Sequence, residues 1–277
     1  MNTFLLNYNG NKYLECKKYL KNFFTKSQYK HIIEPFSGIF GLSRSYYEFN
    51  TKKGVKYHLN DIDTELIKTL KHIKSNFNQV IDICEKFYEK NRNYSGEELK
   101  KIINNHEYNY LLRYIFRGYR AGLYHMEKGR TKVQNFKLKE KKYKAFFKQC
   151  TFYNLSYDEF LDLDEIKKLK NKLIFYDPPY FNSCNLNYQK FSKIDKNKCY
   201  NDNTSFYIEI YENINTNIKD DQIIILNKID LINYIYSDLK TNIAFKDSKY
   251  GSGSIKRHIL YSNIDSDILD LDININK

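Results

Sequence analysis

The sequence predicts an α/β fold built on a doubly wound, mostly parallel β-sheet. Short runs rich in β-branched and aromatic residues recur along the chain, and their near-continuous apolar character is typical of strands covered on both faces. Amphipathic segments separate most of these runs, and such βαβ alternation favours parallel strands joined by helices. With 277 residues, the chain is long enough for one such domain with a smaller inserted lobe.

The strands and helices are predicted in order along the chain. Strands are expected at 31–36, 55–60, 150–155, 173–177, 222–227, 242–247 and 257–262. Helices are expected at 11–24, 63–75, 158–170, 204–218 and 228–238. The last two strands should pair antiparallel as a hairpin, because the glycine-serine stretch 248–256 leaves no room for a helix between them. The sheet is therefore expected to be mixed at one side.

Residues 78–148 interrupt this alternation. They are predicted to be mainly helices and loops, and they are rich in basic and aromatic side chains. We interpret them as a small, mainly helical inserted lobe, with residues 1–77 and 149–277 forming the larger domain.

The chain carries a formal charge of +13, with 46 Lys and Arg against 33 Asp and Glu. Clustered cations gain affinity for phosphates by releasing counterions, so this charge favours a polyanionic partner. A general bias toward Lys, Asn, Ile and Tyr would raise the charge equally well, and both interpretations stay open.

The cysteines and the N-terminus indicate the cellular compartment. The 5 cysteines are widely spaced, without a CxxC motif or a His-Cys cluster, as expected for a reduced protein without structural zinc. The first 20 residues lack the apolar core of a signal peptide, and no long apolar run occurs. We expect a soluble, cytoplasmic protein with no membrane partner and no metal.

Three strand ends carry the residues that we expect to bind a ligand, because ligands of open α/β sheets collect beyond the carboxyl ends of strands. In "EPFSGIFGLS" (34–43), Gly38 follows a strand and lets backbone approach a ligand, although an ordinary tight turn is an equal alternative. In "HLNDIDTELIK" (58–68), Asp61 ends a strand where acidic residues commonly bind ribose hydroxyls, whereas Asp63 is assigned to the helix N-cap.

The third strand end is "LIFYDPPYFNS" (173–183), which uses two of the 3 prolines of the chain side by side. Proline fixes its own φ and restricts the residue before it, so the pair makes a rigid corner after Asp177. This corner would aim the Asp177 carboxylate, the Pro178 carbonyl and the Tyr180 ring at a planar substrate that carries an NH₂ group.

Four motifs in order carry a resemblance to a family. "YNGNK" (8–12), "EPFSG" (34–38), "NDID" (60–63) and "DPPY" (177–180) together resemble the Dam-like class of DNA adenine methyltransferases. The resemblance covers most of the chain and is weakest in the inserted lobe. It implies a Rossmann-like S-adenosylmethionine-dependent methyltransferase fold with a mixed seven-stranded sheet.

The resemblance also implies an activity and its residues. The enzyme would move the methyl group of S-adenosylmethionine to the exocyclic amine of an adenine flipped out of double-stranded DNA. Lys12 would lie near the cofactor carboxylate and Asp158 near its adenine. The implied catalytic residues are Asp177, Pro178, Pro179 and Tyr180. The implied cofactor-binding residues are Tyr8, Lys12, Glu34, Pro35, Phe36, Gly38, Asp61, Asp158 and Asp177.

One position departs from the family pattern. The cofactor loop of the family usually reads Phe-x-Gly-x-Gly, but here Phe36 and Gly38 are followed by Phe40, with the second glycine displaced to Gly41. We expect this departure to reshape the methionine pocket or to weaken cofactor binding.

The basic residues of the inserted lobe are the candidates for gripping DNA. They are Arg113, Arg117, Arg120, Lys128 and Arg130. A solvated helix face is the alternative for each of them. For the loop 250–254 with Lys256 and Arg257, an ordinary hairpin loop is slightly favoured over a DNA contact.

The DPPY motif also bears on whether the methyl acceptor is a protein or RNA instead of DNA. Protein glutamine methyltransferases use a related corner with Asn in place of Asp, so Asp177 argues against them. RNA adenine methylation stays open because a single-stranded adenine could enter the same pocket. An inert methyltransferase-fold subunit that binds nucleic acid also stays open, as do a restriction-modification, an orphan and a viral setting.

Overall fold

The computed structural model describes residues 4–8, 12–117, 124–179, 204–217, 219–245, 248–249, 255–256 and 258–270. Several residues named above lie outside these ranges: Arg120, Tyr180, the loop 250–254 and Arg257. Within the described ranges, no helix is long and apolar enough to cross a membrane.

The main sheet has seven strands, in the order β3-β2-β1-β4-β5-β9-β6. These strands are β1 His31–Glu34, β2 Lys56–Asn60, β3 Cys150–Tyr153, β4 Lys172–Tyr176, β5 Asp221–Asn227, β6 Thr241–Ala244 and β9 His258–Ser262. A separate two-stranded ladder pairs β7 Ser248–Lys249 with β8 Ile255–Lys256.

The helices lie between the strands and after the last one. In chain order they are α1 Tyr13–Tyr19, α2 Lys21–Lys26, α3 Gly41–Phe49, α4 Thr64–Ser75, α5 Phe77–Asn91, α6 Gly96–Asn104, α7 Asn109–Phe116, α8 Met126–Leu138, α9 Glu140–Lys148, α10 Tyr157–Asp162, α11 Asp164–Lys167, α12 Thr204–Thr216, α13 Asp230–Ile235 and α14 Ser266–Leu269.

The strand pairing confirms the predicted mixed sheet. Strands β1 to β5 pair in parallel, with Ile33 opposite both His58 of β2 and Ile174 of β4. Strand β9 lies between β5 and β6 and is antiparallel to both. The chain runs outward from β1 in both directions, so the topological switch point lies between β1 and β4. In an open α/β sheet, the crevice beyond that point is the usual ligand site.

Both faces of the sheet are covered, as the apolar strand runs predict. Every residue of β4 is buried, and adjacent residues of β1 pack into different clusters: Ile32 on one face and Ile33 on the other. Each fully buried side chain of this size stabilises the fold by roughly 1.5–3 kcal/mol. The helical layers therefore hold the strand ends rigidly in place.

Helices α5 to α9 fill the segment that we interpret as the inserted lobe. They share one hydrophobic cluster with the sheet, in which Ile103 and Phe136 pack together with residues such as Leu59 of β2. Helix α8 approaches α7 closely at Gly129, where a Cβ would lie 2.1 Å from a ring carbon of Phe116. The lobe is thus mainly helical, as predicted, and it is packed onto the sheet. Its role in target recognition stays a prediction.

Two predicted helices are each broken in two. The segment 11–24 divides at Leu20, whose ψ of 7° leaves the helical region, and the segment 158–170 divides at Leu163, whose ψ is 128°. The amphipathic pattern continues across both breaks, which explains why periodicity alone predicted continuous helices.

Candidate active site

The loop between β1 and α3 brings backbone into the crevice beyond the sheet. Gly38 has a φ of +47°, a conformation that glycine adopts without strain. The Tyr8 ring lies against it, since a Cβ at Gly38 would be 3.0 Å from the ring carbons Cδ1 and Cε1. The structure thus places Tyr8 and Gly38, both predicted cofactor residues, side by side.

Asp61 fastens this loop to the end of β2. Its carboxylate accepts the Gly38 N–H at 2.8 Å through Oδ2 and the Asp63 N–H at 2.9 Å through Oδ1. Burial and the neighbouring Asp63 charge raise the pKa of Asp61 to about 7, although both hydrogen bonds oppose that shift. Asp61 therefore stabilises the loop through these hydrogen bonds. Its binding to ribose hydroxyls stays a prediction.

Asp63 caps α4, as predicted. Its side chain accepts the Leu66 N–H at 3.1 Å and the Tyr114 hydroxyl proton at 2.8 Å. Tyr114 belongs to α7, so a helix of the inserted lobe docks directly on the acidic strand end beside the candidate cofactor loop.

Asn60 was not predicted as a site residue, yet it ties three loops together. Its side-chain amide donates to the Pro35 and Leu155 carbonyls, each at 3.0 Å, and its Oδ1 accepts the Leu155 N–H at 3.0 Å. Its backbone carbonyl accepts the Ser37 N–H at 2.7 Å. The loops that follow β1, β2 and β3 therefore form one rigid rim around the crevice.

Asp177 lies at the end of β4, on the far side of the switch point from β2. Its Oδ1 is 3.0 Å from the Nζ of Lys12, and the side chains are 18% and 4% exposed respectively. Burial raises the pKa of Asp177 to about 6, against the effect of the Lys12 charge, which lowers it. Asp177 is thus largely ionised at neutral pH and remains an acceptor of hydrogen bonds.

A hydrogen bond from a buried tyrosine of α12 fixes the proline corner. The Tyr207 hydroxyl of α12 donates to the Pro179 carbonyl, and the Tyr207 carbonyl accepts the Tyr236 hydroxyl proton at 2.8 Å. Tyr207 and Tyr236 are fully buried, and Pro178 is buried too. Sequence reasoning missed Tyr207, because nothing in its local pattern distinguishes it from an ordinary core tyrosine.

Glu34 is buried at the end of β1, with 1% of its surface exposed. It accepts the Ser43 N–H at 2.8 Å. Burial raises the pKa of Glu34 to about 8, and the nearby Asp177 charge adds to the rise. Its predicted contact with a cofactor stays a prediction.

Phe36, Pro35 and Asp158 lie along the same rim. Phe36 is half-buried and stacks on Tyr157 with 5.3 Å between ring centroids, whereas Pro35 is fully buried. Asp158 is exposed in the first turn of α10, where Ser156 and Glu159 form a capping box that fixes the helix start. Asp158 therefore stands at the open end of the rim, and its role at the cofactor adenine stays a prediction.

Phe40 explains how the chain departs from the glycine pattern. It has a φ of 47° and a ψ of 57°, the left-handed conformation that glycine favours. Its side chain is fully buried among aromatic rings, with centroids 5.0 Å from Phe4 and 5.5 Å from Phe146. Phe40 thus takes the backbone conformation that glycine favours, and its ring is buried in the core. An effect of Phe40 on cofactor affinity stays a prediction.

The candidate DNA-binding cations differ in their surroundings. Arg113 forms an ion pair with Glu65, and Arg117 is half-buried, with burial lowering its pKa to about 10. Arg130 lies 4.8 Å over the Tyr88 ring, while Lys128 is exposed. Arg113 therefore helps to dock α7 onto α4. Contact of these four residues with DNA stays a prediction.

A buried pair that sequence reasoning missed joins α1 to β9. The Nδ1 of His258, the first residue of β9, is 2.8 Å from the Glu15 Oε1 of α1. The two residues are 243 positions apart, so no local signal indicated the pair. Among the residues that the structure describes, no group of three or more His, Cys, Asp or Glu side chains is placed to hold a metal ion.

The chain was compared with known proteins and solved structures. No curated protein sequence matches the chain. Among solved structures, 19 chains match, including SMU.472, which is assigned as a methyltransferase and was crystallised with SAH. That match has 10% sequence identity and a TM-score of 0.39, and it covers 86% of this chain but 48% of that one. The chain thus spans about half the length of this solved relative.

The family itself is identified from the sequence match. The model of the D12 class N6 adenine-specific DNA methyltransferases matches residues 8–251, which include the candidate crevice and its surrounding loops. The chain therefore belongs to the D12 class N6 adenine-specific DNA methyltransferase family, whose members take their methyl group from S-adenosylmethionine.

Proposed function

We propose that this protein transfers the methyl group of S-adenosylmethionine to the exocyclic amine of adenine in double-stranded DNA. The observation that carries the proposal is the position of Asp177. Its carboxylate ends β4 at the switch point, is held 3.0 Å from Lys12 and precedes a rigid proline corner.

The crevice has the features that a nucleoside-type methyl donor needs. Lys12 supplies a cation for a carboxylate, Asp61 supplies acceptors for ribose hydroxyls, and Gly38 lets backbone come close where a Cβ would meet Tyr8. When bound, S-adenosylmethionine would supply an electrophilic methyl group. The residues present in the crevice fit the binding of this cofactor.

The chain's own contribution is to position and polarise the acceptor amine. The lone pair of the adenine amine is delocalised into the ring, so the amine is a weak nucleophile. The Asp177 carboxylate and the Pro178 carbonyl are two acceptors at one corner, and hydrogen bonds from the amine to them would raise electron density on its nitrogen. Because the pKa of Asp177 is about 6, the carboxylate is ionised and ready to accept at neutral pH.

We extend the proposal to a flipped adenine, because a paired and stacked base cannot reach such a corner. Flipping costs a few kcal/mol, and contacts between phosphates and cations would offset it. The charge of +13 supports this part of the proposal. DNA affinity should then fall steeply as salt is raised, whereas a flat salt dependence would assign the charge to compositional bias.

Expression in cells that lack adenine methylation tests the proposed function. Single-molecule sequencing of their DNA should reveal methyladenine in one short motif, and cells that express Asp177→Ala should show none. If the DNA is unmodified but the RNA contains methyladenine, RNA is the methyl acceptor. If neither nucleic acid is modified and the purified protein gives no heat on titration with S-adenosylmethionine, the chain is an inert scaffold.

A further inference from the structure

The C-terminal turn of α7 is joined by hydrogen bonds to the N-terminal segment 4–8. A helix leaves its last four carbonyls without partners inside the helix, so they need donors from elsewhere. Asn7 supplies two of these donors. Its backbone N–H donates to the Tyr114 carbonyl at 2.7 Å, and its side-chain amide donates to the Arg117 carbonyl. Asn7 is 5% exposed, so these bonds are shielded from water.

The residue that follows Asn7 connects this turn to the candidate cofactor loop. The Tyr8 ring lies against Gly38, where an added Cβ would be 3.0 Å from two ring carbons. Asn7 and Tyr8 are joined by a planar peptide bond, so a displacement of Asn7 also displaces Tyr8. The end of α7 is therefore connected to Gly38 through Asn7 and Tyr8.

A second connection joins the same turn of α7 to the backbone of Gly38. The Tyr114 hydroxyl donates to the Asp63 Oδ2 at 2.8 Å, and the Asp63 N–H donates to the Asp61 Oδ1 at 2.9 Å. The Asp61 Oδ2 in turn accepts the Gly38 N–H at 2.8 Å. Tyr114, Asp63 and Asp61 are all buried. The two connections thus form a closed circuit of contacts between the end of α7 and Gly38.

We propose that the C-terminal turn of α7 positions the candidate cofactor loop, with Asn7 and Tyr114 as the positioning residues, and thereby sets the affinity for S-adenosylmethionine. Only the statement about affinity rests on the proposed function. A loop that is already fixed in its binding conformation loses less freedom when the ligand binds. Removal of either connection should let Gly38 move and should lower affinity, although neither Asn7 nor Tyr114 is predicted to contact the cofactor.

Hydrogen exchange of the Gly38 amide tests the position of the loop directly and needs no cofactor. The chain has 10 glycines, so ¹⁵N-glycine labelling gives a simple spectrum, in which the Gly38 resonance is identified by its loss in Gly38→Ala. Tyr114→Phe should speed exchange of this amide about tenfold, because the buried Asp63 carboxylate loses a donor. Asn7→Ala should speed it by a similar factor, because the amide that fixes Asn7 to the Arg117 carbonyl is removed.

Calorimetric titration of the same variants measures the effect on the cofactor. Tyr114→Phe and Asn7→Ala should each raise the Kd for S-adenosylmethionine about tenfold. In steady-state kinetics, the KM for the cofactor should rise while kcat at saturating cofactor stays unchanged. A residue that only stabilised the fold would leave both Kd and KM of the folded protein as they are in the wild type.

Two matched variants serve as controls. Tyr110→Phe makes the same chemical change between the same two helices, because the Tyr110 hydroxyl of α7 is 2.8 Å from the Nδ1 of His72 in α4. Asn91→Ala removes an amide that is about as buried as that of Asn7 and donates to the Phe87 carbonyl at 2.9 Å within α5. Neither control should change Gly38 exchange or cofactor affinity. Circular dichroism checks the fold of each variant.

The comparison of Tyr114→Phe with Tyr110→Phe separates positioning of the loop from general docking of α7 on α4. Equal effects of these two variants on Gly38 exchange would overturn the inference, as would unchanged exchange in both Tyr114→Phe and Asn7→Ala. Faster exchange with unchanged cofactor affinity would overturn the statement about affinity. If one variant does not fold, the other decides. If exchange responds as expected but the wild-type protein gives no heat with S-adenosylmethionine, the positioning stands and the proposed function fails.

Discussion

The Tyr8 ring lies directly against Gly38 at the turn that follows β1. A Cβ at Gly38 would be 3.0 Å from two carbons of that ring, and Gly38 itself has a φ of +47°. Both features favour glycine, the first for space and the second for backbone conformation. The contact joins the N-terminal segment to the loop that we expect to bind the cofactor.

Gly38→Ala should therefore weaken both the fold and cofactor binding. The left-handed φ costs about 1–2 kcal/mol of stability, and displacement of Tyr8 should lower S-adenosylmethionine affinity about tenfold. Thermal denaturation and calorimetric titration measure the two effects. Gly54→Ala is the matched control, because Gly54 has a φ of +81° and a Cβ added there would meet nothing within 4 Å. Equal cofactor affinity in both variants would refute the role of the Tyr8 contact.

The buried ring of Phe40 should stabilise the fold although its left-handed backbone conformation is strained. Phe40→Ala loses the buried aromatic contacts and should cost about 3–5 kcal/mol of unfolding free energy. Phe40→Gly loses the same contacts but relieves the left-handed strain, so it should be more stable than Phe40→Ala by about 1 kcal/mol. Urea denaturation of the two variants gives the comparison. If Phe40→Ala is the more stable of the two, the backbone at this position is not strained.

Tyr207 should act on turnover through the proline corner. Tyr207→Phe removes one hydroxyl that donates to the Pro179 carbonyl, so kcat should fall about tenfold while cofactor affinity stays unchanged. Steady-state kinetics with separate KM values make this distinction. Tyr211→Phe is the control on the same helix, because its hydroxyl donates to the exposed Asp238. A loss of kcat shared by both variants would point to a general effect on α12.

Glu34 should make stability fall as pH rises. Its pKa is about 8 in the folded protein against 4.5 for a free side chain, so the native state binds a proton that the unfolded state releases. The stability contributed by that proton is complete below pH 4.5 and is lost as pH rises through 8. In Glu34→Gln this loss should be absent. Between acidic and alkaline pH, the free energy of unfolding of the variant should therefore fall by at least about 1 kcal/mol less than that of the wild type.

Urea titrations of Glu34→Gln at pH 5 and pH 8.5 measure that difference. Glu97→Gln provides the comparison, because Glu97 is exposed and pairs only with Lys100 within its own helix in the described contacts. An identical pH dependence in wild type and Glu34→Gln would mean that Glu34 is ionised in the folded protein.

Much of the fold could be predicted from the sequence, because buried parallel strands need continuous apolar runs. The run predicted at 173–177 corresponds to β4 at Lys172–Tyr176, where every residue is buried. The short glycine-serine connection correctly indicated the antiparallel pairing of β6 and β9. The helix breaks at Leu20 and Leu163 were missed, because one change of ψ leaves the hydrophobic pattern intact.

The candidate site divides in the same way. Gly38, Asp61 and Asp177 were predicted because each follows a strand, where local sequence and position in the sheet coincide. Glu15 and His258 meet only because β9 inserts between β5 and β6. A contact that depends on the order of strands in the sheet cannot be predicted from the local sequence around either residue.

The most direct test of the central claim compares the wild-type protein with Asp177→Ala for transfer of a tritiated methyl group from S-adenosylmethionine to duplex DNA. Ala removes both acceptor oxygens of the side chain, so transfer should fall by about a thousandfold while the fold persists. Circular dichroism and cofactor titration confirm that the variant is folded and loaded. Turnover near that of the wild type in such a variant would contradict the role of Asp177 and the account built on it.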